Sequence, residues 1–221
     1  MGEMEKSYFK PGKYLEAGLD EVARGCLAGP VYTAAVIWPS ELEPEEQLNE
    51  YMIKDSKKLN RKKREIVRPY IEENAIDFSV ASVDNKRIDV VNIRNATFEA
   101  MHIAIGGLVV EPEILLIDGD GFRPYYNTDG NLLEHKCIIQ GDNTYISIAA
   151  ASILAKVYHD NYITKICEDN PDYNIYGWKN NMCYGASQHM NAIKDWGVTP
   201  LHRKTFGICS VAGNNDIFRF K

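Results

Sequence analysis

Two neighbouring β-forming segments near the start of the chain constrain the fold more than any other feature of the sequence. In residues 14–22, apolar side chains alternate with charged residues and glycine, and this period of two is typical of a strand. Residues 29–38 are mostly apolar and rich in β-forming residues, and only a short segment containing the turn pair Arg24-Gly25 separates the two. The sequence therefore predicts an antiparallel hairpin at the start of the fold.

Helical and β-forming segments alternate after this hairpin. The sequence pattern predicts helices over 60–73, 90–110, 147–160 and 186–196, and strands over 78–83, 113–117 and 135–140. The third helix is rich in alanine, which predicts close packing on a sheet. The order of elements predicts an α/β fold: a mixed five-stranded sheet, antiparallel first and parallel later, flanked by helices and followed by a small helical C-terminal region.

Length and composition indicate a globular chain. With 221 residues, 45% of them hydrophobic and 25% charged, the sequence has no repeat or linker that divides it. We expect a single domain over 1–221, with an N-terminal arm (1–13) and a C-terminal tail (210–221). No apolar window reaches the roughly 18 residues of a membrane span, and the first residues lack the apolar segment of a secretory signal. We therefore expect a soluble, cytoplasmic monomer without membrane contacts.

The charge distribution is uneven. Lys and Arg total 25 against 31 Asp and Glu, and the net charge of −6 removes the usual sign of a nucleic-acid binder, a globally basic domain. Residues 54–68 nevertheless contain eight basic residues against two acidic ones, so an anion is expected to dock there.

The five cysteines have no C-x-x-C spacing, which favours reduced thiols over disulfides or a zinc site.

Four acidic residues follow apolar β-forming segments. Asp20 and Glu21 end the first segment, Asp118 follows EILLI, and Asp142 follows CIIQG. Each acid alone is commonly a turn or cap residue, and adjacent strand residues share a site only where the strand ends or bulges. A convergent group would repel itself without a cation, and its hard oxygen ligands suit Mg²⁺ or Mn²⁺. Such a site can activate water for phosphoryl transfer, particularly with two ions.

The chain resembles the ribonuclease HII family over about residues 14–209, in ordered motifs that read GLDEVARGCLAGPVYTAAVI, DSKKL, LLIDGD, QGD-x4-SIAAASILAKV and HRKTF. The resemblance implies an RNase H-like fold and cleavage of the RNA strand of RNA–DNA hybrids. It also implies incision 5′ to a single ribonucleotide embedded in duplex DNA, with 3′-hydroxyl and 5′-phosphate ends. The implied ligands of two Mg²⁺ or Mn²⁺ ions are Asp20, Glu21, Asp118 and Asp142.

The resemblance also places a substrate-recognition loop just after the first strand. The family has a Gly-Arg-Gly loop whose backbone approaches the ribose 2′-hydroxyl, and here it falls on Ala23, Arg24 and Gly25. Ala23 therefore replaces the first glycine, and at positive φ it would be strained. The 2′-hydroxyl is the group that separates RNA from DNA at one position, so the loop is expected to carry the discrimination.

The remaining assignments have structural alternatives. The family's junction tyrosine, usually in a Lys-Gly-Tyr context, falls on Tyr184 in a Met-Cys-Tyr context, and the alternative is an ordinary packed tyrosine. Lys57 and Lys58 of DSKKL are expected to contact phosphates, and the alternative is a solvated basic face. The His202-Arg203 pair is explained at least as well by a structural role as by a catalytic one.

Two other functions compete with the endoribonuclease. A phosphatase with Asp118 as the nucleophile lacks a hydroxyl residue soon after Asp120, and it leaves Asp20 and Glu21 without a role. A non-catalytic hybrid-binding module is disfavoured by the four acids, because uncompensated carboxylates near a phosphate backbone weaken binding. The metal-dependent endoribonuclease is therefore the leading hypothesis.

Overall fold

The computed structural model describes residues 9, 15–39, 53 and 59–212. Most of the predicted N-terminal arm, the predicted tail beyond Ala212, and the predicted phosphate contacts Lys57 and Lys58 lie outside the described residues. Among the described helices, none is both long enough and apolar enough to cross a membrane.

The described residues form a five-stranded mixed sheet in the order β3-β2-β1-β4-β5. Its strands are β1 (Glu16–Val22), β2 (Val31–Ile37), β3 (Asp77–Val83), β4 (Ile114–Asp118) and β5 (Glu134–Ile138). The neighbours β1, β2 and β3 pair antiparallel, whereas β4 is parallel to β1 and β5 is parallel to β4. The predicted mixed sheet, with its hairpin start and later parallel strands, is confirmed.

Seven α-helices lie within the described ranges: α1 (Arg61–Asn74), α2 (Asn85–Val91), α3 (Ile93–Gly106), α4 (Ile146–Asp169), α5 (Trp178–Asn181), α6 (Ser187–Trp196) and α7 (Gly207–Ala212). Asn60 caps α1 by accepting a hydrogen bond from the Lys63 N–H, and Gly197 follows the last residue of α6 as predicted. The single helix predicted over 90–110 is wrong. Asn92, at φ +67°, separates α2 from α3 and caps α3.

The long helix α4 differs most from its prediction. It was expected to end at Asp160, but it continues to Asp169. Ile163 and Cys167 extend its buried stripe at helical spacing, so the C-terminal helices pack on the additional turns. Asp160 is consequently a buried residue in the middle of a helix and not a helix-terminal acid.

Helices cover both faces of the sheet at β1. The helices α1 and α4 pack on one face, and α3 packs on the other. Glu16 and Asp20 of β1 are therefore as buried as the apolar residues between them, although alternation suggested one polar face. At Gly18 an added Cβ would lie 2.2 Å from Ile148 N, so the α4 backbone rests directly on β1. This contact confirms the predicted close packing of the alanine-rich helix.

The C-terminal helices build a separate apolar cluster around the loop that follows β1. Cys26 in this loop packs with Trp178, Cys183 and Cys209. The Leu27 N–H donates to the Cys183 carbonyl at 2.8 Å, and Cys26 forms an isolated antiparallel bridge with Tyr184. The cluster therefore fixes Tyr184 beside the loop at the end of β1.

Candidate active site

The acids at the ends of β1 and β4 meet because of the parallel register. Leu19 pairs with Ile117, and in this register the next residues, Asp20 and Asp118, are level at the carboxyl ends of the two strands. Pairing of β1 with β4 stops there, while pairing with β2 continues to Val22. Beyond this point β1 is no longer paired on its β4 side. This is where the adjacent acids Asp20 and Glu21 must reach one site.

Seven of the ten predicted site residues line one cavity of about 450 Å³, namely Asp20, Glu21, Ala23, Arg24, Gly25, Asp118 and Tyr184. Val22, Arg64, Ser152 and Lys156 complete the lining. Of the other predicted residues, Lys57 and Lys58 lie outside the described residues, and Asp142 is not among the lining residues. The structure thus brings together three acids, the recognition loop and the tyrosine.

Asp142 lies behind this cavity. It is buried in the 3₁₀ turn Gly141–Asn143, and this turn is joined to the site because the Gly141 N–H donates to Asp118 Oδ1 at 2.7 Å. Across the described residues, no three Asp, Glu, His or Cys side chains are grouped closely enough to hold a metal ion in this arrangement. Metal binding by Asp20, Glu21, Asp118 and Asp142 therefore stays a prediction.

The three clustered acids repel one another, and burial adds to the cost of their negative charges. Burial, together with the charges of Glu21 and Asp118, raises the pKa of Asp20 well above its ordinary value. Burial also raises the pKa of Glu21, against the opposing charge of Arg24, whose Nη1 lies 3.1 Å from Glu21 Oε1. A divalent cation would relieve this repulsion, and carboxylate oxygens are the donors that Mg²⁺ and Mn²⁺ prefer. The chemistry of the donor set therefore fits such an ion.

The recognition loop begins with the strain that the sequence suggested. Ala23 has φ +73°, a left-handed conformation that favours glycine. Arg203 stabilises the loop. It is fully buried, and its Nη1 donates to the Arg24 carbonyl at 3.0 Å. Arg203 is therefore structural in this arrangement, as one of the two alternatives for the His202-Arg203 pair predicted.

A pair of substitutions at Ala23 tests this strain. We expect Ala23→Gly to leave the free energy of unfolding within about 1 kcal/mol of wild type, because relief of the left-handed strain is offset by a lost buried methyl and a more flexible unfolded chain. Ala23→Val is expected to cost about 2–4 kcal/mol, since a branched side chain adds both strain and overpacking. Urea unfolding measures both changes. Equal stability of the two variants would contradict the observed backbone conformation.

Tyr184 borders the loop on the side of the C-terminal helices. The residue is 39% exposed, and a Cβ added at Gly25 would lie 3.8 Å from its Cε1. Lys156 Nζ is 5.6 Å from the ring centroid. Burial raises the pKa of the Tyr184 hydroxyl, and the nearby Cys26 thiol adds to this effect, so the phenol stays neutral. Tyr184 thus presents a partly exposed, uncharged side chain to the cavity.

Three polar lining residues, Ser152, Lys156 and Arg64, were not among the predicted site residues, although Arg64 belongs to the basic stretch 54–68 where an anion was expected to dock. Ser152 hydrogen-bonds the Asp20 carboxylate, and Lys156 and Arg64 both approach the buried Asp160. Ser152, Lys156 and Asp160 are spaced four residues apart, which places them on one face of α4. This i, i+4 spacing was the available signal, but the sequence does not show which face of the helix meets the strand ends.

Solved structures define the class of this fold. The chain is similar to ribonuclease H2 from Pyrococcus horikoshii OT3, with a TM-score of 0.73, 23% identity, and coverage of 90% of this chain and 97% of that one. It is also similar to Bst-RNase HIII in complex with Mn²⁺, with a TM-score of 0.67, 19% identity, and coverage of 90% and 69%. The fold is therefore that of the ribonucleases H.

Sequence comparison narrows the class to one family. A family model described as Ribonuclease HII matches residues 17–209. The ribonuclease HII of Christiangramia forsetii is 47% identical over 194 residues, which cover 88% of this chain and 91% of that protein. The chain belongs to the ribonuclease HII family. It is a type 2 ribonuclease H, an endonuclease of the class that acts on RNA–DNA hybrids.

Proposed function

We propose that the protein is a metal-dependent endoribonuclease that cuts the RNA strand of RNA–DNA hybrids and incises 5′ to a single ribonucleotide in duplex DNA. One observation carries the proposal: Asp20, Glu21 and Asp118 share a cavity with the Arg24-Gly25 loop and Tyr184. Carboxylates that would bind a cation thus lie beside the groups that would contact a ribose. Such a juxtaposition is what selective cleavage at a ribonucleotide requires.

Each residue has a definite task in this proposal. Asp20, Glu21 and Asp118 hold Mg²⁺ or Mn²⁺, with Asp142 as a fourth ligand. When bound, two such ions supply an activated water and stabilise the departing 3′-oxygen. Bst-RNase HIII, which has the same fold, was solved in complex with Mn²⁺, and this supports a divalent ion here. The backbone of Arg24-Gly25 contacts the 2′-hydroxyl, and the exposed face of Tyr184 packs against the sugar at the RNA–DNA junction.

Cleavage of two duplexes tests the proposal. One duplex carries a single ribonucleotide in DNA, and the other carries a continuous RNA strand opposite DNA. We expect incision of both with Mg²⁺ or Mn²⁺, products with 3′-hydroxyl ends, and loss of both activities in EDTA. Binding without cleavage at any metal concentration would favour a binding module. Release of phosphate from a monoester, without strand incision, would favour the aspartyl phosphatase.

Substitutions of Tyr184 test the proposed sugar contact. We expect Tyr184→Phe to keep most of the activity on the single-ribonucleotide duplex, because the ring supplies the packing. Tyr184→Ala is expected to lose much of it. If the hydroxyl also orients the substrate, Tyr184→Phe is weakened as well, by about 0.5–1.5 kcal/mol for one neutral hydrogen bond. Steady-state kinetics on both duplexes separate these cases.

A matched control accounts for general effects of losing a tyrosine. Tyr126 is 60% exposed and does not line the cavity, so Tyr126→Ala is expected to cleave like wild type. If Tyr184→Ala folds normally and both duplexes are cut at wild-type rates, the tyrosine is an ordinary packed residue and the contact is refuted.

A further inference from the structure

A second cavity adjoins the candidate active site at Tyr184. It has a volume of about 430 Å³ and is lined by basic and amide side chains. Arg64, Lys156 and Tyr184 line both cavities, so the two adjoin at these side chains. Arg61 and Lys179 add two further cations, and Asp160 is the one acid in the lining. This basic groove therefore carries a net charge of +3 in a chain whose overall charge is −6.

Three of the four cations of the basic groove, Arg61, Arg64 and Lys156, are held in place by side-chain contacts. Asp160 Oδ1 lies 2.8 Å from Lys156 Nζ, and Asp160 Oδ2 lies 3.5 Å from Arg64 Nη2. Arg61 Nη2 donates to Thr164 Oγ1 at 2.8 Å. Burial opposes ionisation of Asp160, but hydrogen bonds from His159 and Lys156 outweigh it and keep its pKa below the ordinary value. The carboxylate therefore stays charged and orients two cations, which reduces the entropy lost when an anion binds.

The position of the basic groove indicates which side of the ribonucleotide it would contact. Tyr184 lines both the basic groove and the cavity that contains the carboxylates and the Arg24-Gly25 loop. In the proposed function, the scissile phosphate lies at the carboxylates and the ribose lies at the Arg24-Gly25 loop. Because incision is on the 5′ side of the ribonucleotide, a strand that continues past Tyr184 does so on its 3′ side.

We propose that the basic groove binds the phosphates of the cleaved strand on the 3′ side of the ribonucleotide, where the strand is DNA. Phosphate contacts position a nucleic acid without reading its sequence, and four cations on three helices, three of them held by side-chain contacts, suit that task. The inference rests on the proposed function, because the scissile position sets the direction. In this proposal, residues of α1, α4 and α5 bind the DNA that follows the ribonucleotide.

Two exposed cations allow a test that leaves the buried residues intact. Lys179→Gln and Arg61→Gln are compared with Lys86→Gln, which removes an exposed lysine of α2 that lines neither cavity. We expect each groove variant to raise KM on the single-ribonucleotide duplex roughly 3- to 10-fold with little change in kcat, and to reduce the slope of log affinity against log salt by about 1. Lys86→Gln is expected to keep the wild-type KM, kcat and salt slope.

Neutral linkages identify the phosphates concerned. Duplexes carry a methylphosphonate at the second or third phosphate on the 3′ side of the ribonucleotide, or at matching positions on the 5′ side. We expect the effect of Lys179→Gln to shrink at least severalfold on the 3′-modified duplexes and to persist on the 5′-modified ones. An undiminished effect on the 3′ side, coupling to the 5′ side, or wild-type KM in both groove variants would overturn the inference. If wild type fails to incise the unmodified duplex with metal present, the proposed function itself is wrong.

Discussion

Asp118→Asn is expected to lower the rate of incision at saturating Mg²⁺ by at least about 10³-fold, the loss that corresponds to removing several kcal/mol of metal-dependent stabilisation. The substitution changes the shape of the side chain little. Its remaining oxygen still accepts the hydrogen bond from the Gly141 N–H, so the turn that carries Asp142 is retained. What is lost is one negative charge from the three acids that share the cavity.

The matched control lies two residues further along. Asp120 lies in the loop after β4 and is not one of the four predicted metal ligands. Asp120→Asn is therefore expected to cleave at close to the wild-type rate. Circular dichroism and duplex binding establish that Asp118→Asn is folded and binds substrate. Turnover of Asp118→Asn within tenfold of wild type at saturating metal would exclude Asp118 from the metal site.

The clustering of Asp20 and Asp118 was predictable because it depends on local pattern and sheet geometry alone. Each acid follows a short apolar run near the carboxyl end of its strand, and the carboxyl ends of parallel strands meet at one edge. Asp142 follows a similar apolar run, but the strand β5 ends at Ile138 and a turn intervenes. The position of its side chain depends on that turn, which hydrophobic periodicity does not encode.

The parts of the site that come from α4 were not predictable in the same way. The alanine-rich composition indicated a helix packed closely on a sheet, and the contact at Gly18 confirms it. Which face of that helix turns toward the acids is decided by tertiary packing, so Ser152 and Lys156 were not assigned to the cavity. The buried Asp160 was misplaced at a helix end because the apolar stripe beyond it, through Cys167, packs on a cluster formed by distant residues.

The contacts of Arg203 were the least predictable from the sequence, because its partners are nearly 180 residues away in the chain. The guanidinium is fully buried, and it donates to three backbone carbonyls, those of Arg24, Gly29 and Pro30, at 3.0–3.1 Å. These carbonyls belong to the segment between β1 and β2. One side chain thus satisfies three backbone acceptors, two of them in buried contacts, and joins the C-terminal region to the recognition loop.

Arg203→Met is expected to lower the free energy of unfolding by about 3–5 kcal/mol, measured by urea unfolding. Each buried carbonyl left without a donor costs about 1–3 kcal/mol, and methionine fills much of the volume but donates nothing. Arg203→Lys keeps the charge, but an ammonium group cannot reproduce the fork that reaches three acceptors, so an intermediate loss is expected. Arg123, an exposed residue that donates to Asn95 Oδ1, provides the control, and Arg123→Met is expected to change stability by less than about 0.5 kcal/mol.

The lysine variant also separates a purely structural role from a positioning role. If Arg203 positions the recognition loop through the Arg24 carbonyl, folded Arg203→Lys loses more activity on the single-ribonucleotide duplex than on continuous RNA, where neighbouring ribonucleotides offer alternative registers. If Arg203 only stabilises the fold, both rates fall by the same factor once the folded fraction is taken into account. A loss of less than about 1 kcal/mol in Arg203→Met would show that water or backbone movement satisfies the three carbonyls, and the buried guanidinium would then not hold the loop.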